Sequence, residues 1–264
     1  MRGAQQGAPG EDGGGYLKMI VAVKHATAYQ VETDRFNISE VISAHDLADT
    51  FYPAWEGVIQ DGGAAGFMCA YPRVNGVPMC ANPIFETTIM KETFGLGTQT
   101  SSGSYVQSDC GAIENAYKPN GYAKNLTYAA AFALNAGTDV DCGTSFPEQL
   151  NLAISLGLTT EATLDASLMR TYTLQFIAGR FDPLTKQPYA QIPFEAIGSA
   201  EHLALAAESA SQGLVLLRND RGLLPLTAGL HTLAVIGPFG NDPGVAGNYY
   251  EVRVWLGLEF GCLD

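Results

Sequence analysis

Several polar side chains directly follow short apolar runs, and these positions are where the sequence could carry chemistry. Lys24 and His25 follow the run at residues 19–23, and Asp109 ends the run that begins at residue 105. The other positions of this kind are Tyr71, Arg73, Asp139 and Asp141. In parallel α/β folds, side chains just beyond the carboxyl ends of strands converge on the functional site. The spacing therefore predicts that these side chains meet at one edge of a sheet.

Three of these features have both a chemical and a structural interpretation. Asp109 has no basic neighbour in sequence, so its carboxylate could act as a nucleophile or general base, or could cap a loop or helix. Lys24 and His25 could bind hydroxyl groups of a ligand, or could be a surface lysine beside a core histidine. Asp139 and Asp141 would share one strand face, which is typical of a cation site or a capped barrel rim. Spacing alone leaves all three alternatives open.

The cysteines and histidines do not indicate a metal or redox centre. None of the five cysteines forms a CxxC pair, and the four histidines lack metal-ligand spacing, so we expect no metal and no other cofactor. Cys69 and Cys80 flank a turn-rich segment that a disulfide could close. Cys110 and Cys142 each follow an apolar run, which would place them at neighbouring strand ends. Buried reduced thiols remain the alternative for both pairs.

The charge and the length of the apolar stretches argue against nucleic-acid and membrane partners. The 264 residues include 14 Lys or Arg and 27 Asp or Glu, a formal net charge of −13, with no Lys/Arg cluster. Binding to a phosphate backbone relies on such clusters, so we expect no nucleic-acid partner. The apolar stretches are shorter than the ~18 residues that a membrane span needs, so we expect no membrane partner. An apolar content of 47% supports a sizeable core, and no sequence feature indicates a protein partner.

Apolar runs alternate with helical patterns, which predicts an α/β fold. Strand-like runs lie at residues 19–23, 66–71, 105–109 and 138–142. Helical patterns lie at residues 43–59, 83–94, 122–135, 147–156 and 161–177. Ser43 is the expected N-cap of the first helix. Strand–loop–helix units in this order predict a parallel sheet, and four of them would make either half of an eight-stranded barrel or a smaller α/β sheet.

A second region is expected after a proline-dotted connector at residues 180–194. The sequence there predicts a helix near residues 201–212 and strands at 213–218 and 233–236. We place the boundary at about residue 190, so that residues 1–190 form one domain and 191–250 form a linker and the start of another. Residues 251–264 match neither pattern. The N-terminus lacks the apolar region of a signal peptide.

Motifs at these positions resemble those of glycoside hydrolase family 3, and within it the β-xylosidase branch. KHATAY, from Lys24, is similar to the family's KHFAAY, and MCAYPRVNGVPMCA, from Met68, is similar to MCSYNxVNGVPxCA. VQSDCGAI, from Val106, is similar to VVSDCxAI. The segments AGTDVDCG, from Ala136, and GLVLLRND, from Gly213, also fit the family pattern. The resemblance runs from about residue 3 to about residue 249.

The resemblance implies both a fold and an activity. Family 3 enzymes join a (β/α)8-like barrel to an α/β sandwich, so this chain would hold the C-terminal part of the barrel and the start of the sandwich. They remove terminal sugars from non-reducing ends with retention of the anomeric configuration. The resemblance implies an extracellular or cell-wall exo-glycosidase that hydrolyses terminal β-D-xylosyl residues of xylo-oligosaccharides. α-L-Arabinofuranosidase and β-glucosidase are the alternatives within the family.

The family pattern also implies a role for each matched residue. Asp109 would be the catalytic nucleophile. Lys24 and His25 would bind hydroxyls of the sugar in the −1 subsite, and Tyr71 would line that subsite. The implied disulfides are Cys69–Cys80 and Cys110–Cys142.

The sequence also departs from the family pattern. Ala26 stands where the family has Phe, Pro72 stands where it has Asn, and residues 101–104 look like a small insertion. The early barrel strands, which give an Asp and an Arg to the sugar, are not found. The family's acid/base lies in the sandwich domain, and only the first part of that domain is matched here. These departures support a second hypothesis, a fragment or non-catalytic remnant of such an enzyme.

Two N-glycosylation sequons occur in the sequence, one at Asn37 and one at Asn125. Chance places about as many in a chain of this composition, so the sequons alone assign no modified residue. Because the resemblance implies secretion, a glycoprotein is nevertheless the expectation.

Overall fold

The structure is a computed structural model, and it describes residues 1–7, 13–98, 103–229 and 231–236. The tail at residues 251–264, including Cys262, lies outside the described residues, as does the first half of the insertion at residues 101–104. Contacts within the chain divide it into two units, Met1–Phe194 and Glu195–Asp264. The first unit contains every candidate residue named from the sequence.

The described residues form six short strands, and three of them build the sheet that carries the candidate residues. The strands are β1 (Ala22–Ala26), β2 (Ser39–Glu40), β3 (Gly66–Cys69), β4 (Arg73–Val74), β5 (Val77–Pro78) and β6 (Tyr105–Ser108). One sheet has the order β1-β3-β6 with both neighbouring pairs parallel, and the other has the order β2-β4-β5. Because β1, β3 and β6 run parallel, their carboxyl ends meet at one edge, as expected for an α/β fold.

Helices follow the strands, and side-chain caps fix where several of them begin. The α-helices of the described residues are α1 (Arg2–Gln6), α2 (Ala44–Asp46), α3 (Tyr52–Gln60), α4 (Ala112–Tyr117), α5 (Leu126–Ala136), α6 (Ser145–Ser155), α7 (Glu161–Ile177) and α8 (Ala200–Gly213). Leu47–Phe51 and Ile84–Thr93 are π-helical. Ser43 caps α2 as predicted, since its Oγ accepts a hydrogen bond from the Asp46 N–H at 3.0 Å. None of these helices is both long and apolar enough to cross a bilayer.

The structure differs from the sequence prediction at three strands. The run at residues 138–142 contributes only an isolated bridge between Val140 and Gln107. The strands predicted at 213–218 and 233–236 are wrong for the described residues, which form no ladder there. The side chain of Leu217 is 92% exposed and that of Ile236 is 91% exposed. A lone extended segment is not stable as a strand, so an apolar pattern needs a neighbouring strand before it becomes one.

The core of the first unit consists of two clusters of apolar side chains. Phe67 and Val106, from the middle of β3 and β6, are fully buried with Phe85 and Met90 of the π-helical segment Ile84–Thr93. A second cluster lies under α4, α5 and α6, where the many alanines of α5 let the helices approach closely. The strands of the parallel sheet therefore pack on an apolar core, and the polar candidate groups lie at the carboxyl edge of the sheet.

Candidate active site

Asp109 lies at the carboxyl edge of the parallel sheet, directly after β6. Its backbone N–H donates a hydrogen bond to the Cys69 carbonyl at 3.1 Å, which fixes it against the end of β3. The residue is only 5% exposed. Backbone pairing between β3 and β6 therefore holds this carboxylate at the position where the sequence predicted a functional group.

The two carboxylate oxygens of Asp109 differ in their surroundings. Oδ1 accepts a hydrogen bond from the backbone N–H of Cys110 at 2.8 Å. Oδ2 is buried and accepts no hydrogen bond from the described residues, while Nε2 of His25 lies 3.4 Å away. A buried polar atom without a protein donor costs free energy unless another group donates to it, so Oδ2 is a candidate contact for a ligand. One oxygen is thus oriented by the backbone and the other is available to a ligand.

His25 and Lys24 follow each other in β1 and therefore differ in exposure. Burial lowers the pKa of His25, and the opposing attraction of Asp109 is the smaller effect. The imidazole is therefore neutral over a wider pH range than an exposed histidine, and its N–H can donate to a carboxylate or a hydroxyl. Lys24 is exposed at the same edge of the sheet.

Tyr71 contacts the Asp109 segment through its hydroxyl. Its hydroxyl donates a hydrogen bond to the Cys110 carbonyl at 2.7 Å. Burial, and then the nearby Asp109 carboxylate, raise the pKa of Tyr71, so the phenol remains protonated and remains a donor. Its ring makes an edge contact with Phe36 at a centroid distance of 4.8 Å.

Arg35 belongs to this site although the sequence did not reveal it. Its guanidinium lies 4.6 Å from the Phe36 ring centroid and 5.1 Å from that of Tyr71. Nη1 donates to the Tyr29 hydroxyl at 3.1 Å and to the Glu32 carboxylate at 2.9 Å. Arg35 lies in a turn rather than after a strand, so a search of strand ends could not find it.

The other predicted strand-end groups do not join Asp109. Arg73 donates to the carbonyls of Asn37, at 2.7 Å, and Asn120, at 3.4 Å, and so ties two loops together. Asp141 accepts hydrogen bonds from the Phe146 N–H at 2.9 Å and from the Ser108 hydroxyl at 3.4 Å. Both side chains thus hold the edge of the sheet in place.

Asp139 does not form the cation site that was one interpretation of its spacing, because protein cations already occupy that place. Its Oδ1 is 2.5 Å from Nη2 of Arg170, and its Oδ2 is 3.5 Å from Nζ of Lys91. The Val106 N–H donates to Oδ2 at 3.0 Å. The carboxylate is therefore fully compensated. In the part of the chain that the structure describes, no three His, Cys, Asp or Glu side chains are grouped as metal ligands.

Glu86 is a second buried acid that the sequence did not reveal. It lies on the π-helical segment Ile84–Thr93 and has no exposed surface. The Thr138 hydroxyl donates to its carboxylate at 3.0 Å. Burial raises the pKa of Glu86 well above its usual value, an effect that nearby Lys91 opposes.

Two disulfides lie on either side of the Asp109 segment. Cys69–Cys80, with Cα atoms 5.1 Å apart, closes the loop after β3. Cys110–Cys142, with Cα atoms 4.4 Å apart, joins the residue after Asp109 to the segment that bridges β6. Both pairs expected from the resemblance are therefore present, and the second fixes the backbone N–H that orients Asp109.

Comparison with known proteins decides which family has this arrangement. The family profile described as "Glycosyl hydrolase family 3 N terminal domain" matches residues 1–174. The chain belongs to glycosyl hydrolase family 3. This family 3 chain is 38% identical over 237 residues to the probable exo-1,4-β-xylosidase bxlB of Aspergillus terreus, covering 88% of the chain and 30% of that relative. It is 40% identical, with the same coverage, to the corresponding protein of Aspergillus clavatus.

Solved structures of family 3 enzymes have the same fold. An exo-β-xylosidase, XlnD, in complex with a xylobiose aziridine activity-based probe, matches with a TM-score of 0.79 at 35% identity, over 89% of this chain and 30% of that one. A β-glucosidase from Listeria innocua in complex with glucose matches with a TM-score of 0.66 at 29% identity, over 79% of this chain and 28% of that one. The predicted α/β fold with a barrel-like parallel sheet is thereby confirmed. The chain spans about a third of the length of these relatives.

Proposed function

We propose that this chain supplies the nucleophile side of a retaining exo-β-xylosidase, with Asp109 as the nucleophile. The observation that supports this is the asymmetry of its carboxylate. The Cys110 N–H orients Oδ1, and buried Oδ2 accepts no hydrogen bond from the described residues. A carboxylate held in this way has free lone pairs for attack on an anomeric carbon and is pre-oriented by the backbone.

In the proposed reaction, Oδ2 of Asp109 attacks C1 of the terminal sugar. A covalent glycosyl-enzyme forms as the glycosidic C1–O bond breaks, and the leaving oxygen takes a proton from an acid. Water, deprotonated by that same group, then attacks C1 and releases Asp109. Two inversions give net retention. By family resemblance the acid/base comes from the sandwich domain, and retention requires it about 5–5.5 Å from the nucleophile.

The remaining residues of the site would bind the sugar. The exposed Lys24 and the half-buried His25 lie at the sheet edge, where their N–H groups can donate to hydroxyls. The Arg35 guanidinium stacks on the Tyr71 ring beside Asp109, and we call this pair the stacked wall of the site. The hydrogen bond of Arg35 to Tyr29 and its ion pair with Glu32 keep this wall rigid, which suits a pocket for a small, rigid sugar.

Xylose is the proposed sugar because the relatives at 38% and 40% identity carry the name exo-1,4-β-xylosidase. The solved exo-β-xylosidase holds a probe based on xylobiose. α-L-Arabinofuranosides and β-glucosides are the competing substrates, and a β-glucosidase is among the matching structures. A non-catalytic remnant of such an enzyme is the competing hypothesis from a different functional class.

Covalent trapping tests the proposed function. A 2-fluoro xyloside with a good leaving group should add one sugar mass to the intact protein, on the peptide that contains Asp109. Nitrophenyl xyloside, arabinofuranoside and glucoside then rank the substrates. A label on another carboxylate would remove Asp109 from its role, and a dominant rate on the glucoside would overturn the choice of xylose. Absence of both labelling and turnover in the natural full-length product would establish the remnant.

A further inference from the structure

One of the two sequons lies on a helix end well suited to carry a glycan. Asn125 is the exposed N-cap of α5, and its Oδ1 accepts a hydrogen bond from the Tyr128 N–H at 3.0 Å. Glycosylation takes place on the amide nitrogen, Nδ2, which has no hydrogen-bond partner among the described residues. A sugar on Nδ2 therefore leaves the capping bond intact. We propose that Asn125 carries an N-linked glycan.

The surface around Asn125 is aromatic and suited to contact a sugar. We call Tyr122, Tyr128 and Phe132 the aromatic surface. The Phe132 ring makes edge contacts with Tyr122 at 5.7 Å and with Tyr128 at 5.9 Å. Tyr122 is 42% exposed and Phe132 is 37% exposed. Positions 125, 128 and 132 share one helix face, so the first sugars would cover apolar ring surface that is otherwise in contact with water.

The Asn37 sequon has a different setting. The Asn37 carbonyl accepts a hydrogen bond from Nη2 of Arg73 at 2.7 Å, and its Oδ1 is 3.5 Å from the same nitrogen. Its neighbour Phe36 packs on Tyr71 of the candidate active site. A glycan on Asn37 would therefore lie beside the substrate pocket, whereas one on Asn125 would lie on the aromatic surface. Asn37 serves as the internal comparison.

The proposed reaction uses a lipid-pyrophosphate-linked oligosaccharide as donor. Nδ2 forms a bond to C1 of the first sugar, the C1–O bond to pyrophosphate breaks, and the lipid pyrophosphate leaves while the amide loses one proton. The enzyme that transfers the oligosaccharide must bind the sequon threonine, Thr127. In the folded protein Thr127 is buried, and its hydroxyl donates a hydrogen bond to Gln149 at 2.7 Å. Modification at Asn125 therefore precedes the docking of α5 on α6.

Two variants remove the sequon without removing the cap. Asn125→Asp retains an equally good capping oxygen. Leu126→Pro places proline at the first helical position, where it is favoured, and Asn125 already has the extended backbone (φ −158°) that precedes proline. Asn37→Asp is the matched control. Asn125 is not among the proposed catalytic or sugar-binding residues, and the readout is mass, so failure here is distinguishable from failure of the proposed activity.

The test is glycopeptide mapping of the protein secreted from a yeast, after enzymatic removal of N-glycans in ¹⁸O water. Asn125 should be converted to ¹⁸O-labelled Asp in wild type and in Asn37→Asp. The glycan at this peptide should be lost in both Asn125→Asp and Leu126→Pro. Unlabelled Asn125 in the wild-type protein overturns the proposal, and this measurement does not depend on whether the variants fold.

Discussion

Two buried aspartates next to β6 have opposite surroundings: Asp109 directly follows the strand, and Asp139 lies beside Val106. Asp139 is surrounded by cations and donors, with Arg170 at 2.5 Å, Lys91 at 3.5 Å and the Val106 N–H at 3.0 Å. Asp109 accepts one hydrogen bond at Oδ1, and Nε2 of His25 lies 3.4 Å from its Oδ2. A buried charge needs compensation, which Asp139 has in full and Asp109 has in part. The comparison separates a carboxylate that the protein compensates in full from one that it compensates in part, and the proposed function assigns the second to the substrate.

Among the changes that test this comparison, replacing Asp109 should have the largest effect, and that effect is on turnover. In the full-length enzyme, Asp109→Asn should lower kcat on nitrophenyl xyloside by several orders of magnitude, because an amide is a very poor nucleophile. Stability should change little or rise, since the change removes a buried, partly compensated charge. Steady-state kinetics and thermal melting measure the two effects. Near-normal turnover in a folded Asp109→Asn variant would refute the proposed role.

The same change at Asp139 should act on stability instead. Asp139→Asn leaves Arg170 and Lys91 without their carboxylate, and breaking a buried pair costs about 3–5 kcal/mol of the free energy of unfolding. Urea denaturation measures this cost, and Asp165→Asn on the exposed surface of α7 is the control. The kcat of the folded fraction should stay close to that of wild type. If Asp139→Asn instead lost most of its kcat with stability unchanged, Asp139 would have the role in turnover that we assign to Asp109.

The sequence predicted which residues lie at the sheet edge better than it predicted what each residue does there. The strand at 105–109 and the helix at 161–177 were marked by periodicity and are present as β6 and α7. The difference between Asp109 and Asp139 was invisible, because Arg170 and Lys91 are distant in sequence and reach Asp139 only through the fold. Arg35 was missed because it lies in a turn and not after a strand. Tertiary partners, and not local pattern, decide whether a strand-end carboxylate is compensated.

The two disulfides extend the comparison, because Cys110 of the second disulfide is the residue whose backbone N–H donates to the Asp109 carboxylate. Loop-closure entropy gives about 3 kcal/mol for Cys69–Cys80, separated by 11 residues, and about 4 kcal/mol for Cys110–Cys142, separated by 32. Replacing either pair with alanine should lower the free energy of unfolding, and the loss should be larger for Cys110–Cys142 than for Cys69–Cys80. Removing Cys110–Cys142 should also lower kcat, since the Cys110 N–H orients Asp109. Free thiols at these four cysteines, found by mass spectrometry of the secreted protein, would contradict both pairings.

The smallest expected effect is a pH dependence at His25. The charged and titratable groups around it are Asp109, Lys24, Arg35, Glu32 and Tyr29, and burial lowers the pKa of His25 despite the carboxylates. The unfolded chain, with a histidine pKa of about 6.5, therefore takes up the proton first as the pH falls. His25 should cost stability below that pH and contribute nothing pH-dependent above it.

Urea denaturation at pH 7.5 and pH 5 isolates this contribution. His25→Gln should lose less stability than wild type between these two pH values, because the variant has no buried imidazole to protonate. The exposed His45→Gln is the matched control and should follow the wild-type protein. The opposite result, a wild-type protein that gains stability over His25→Gln on acidification, would mean that the Asp109 carboxylate outweighs burial. His25 and Asp109 would then form a compensated ion pair like that of Arg170 and Asp139, and the distinction between the two aspartates would fail.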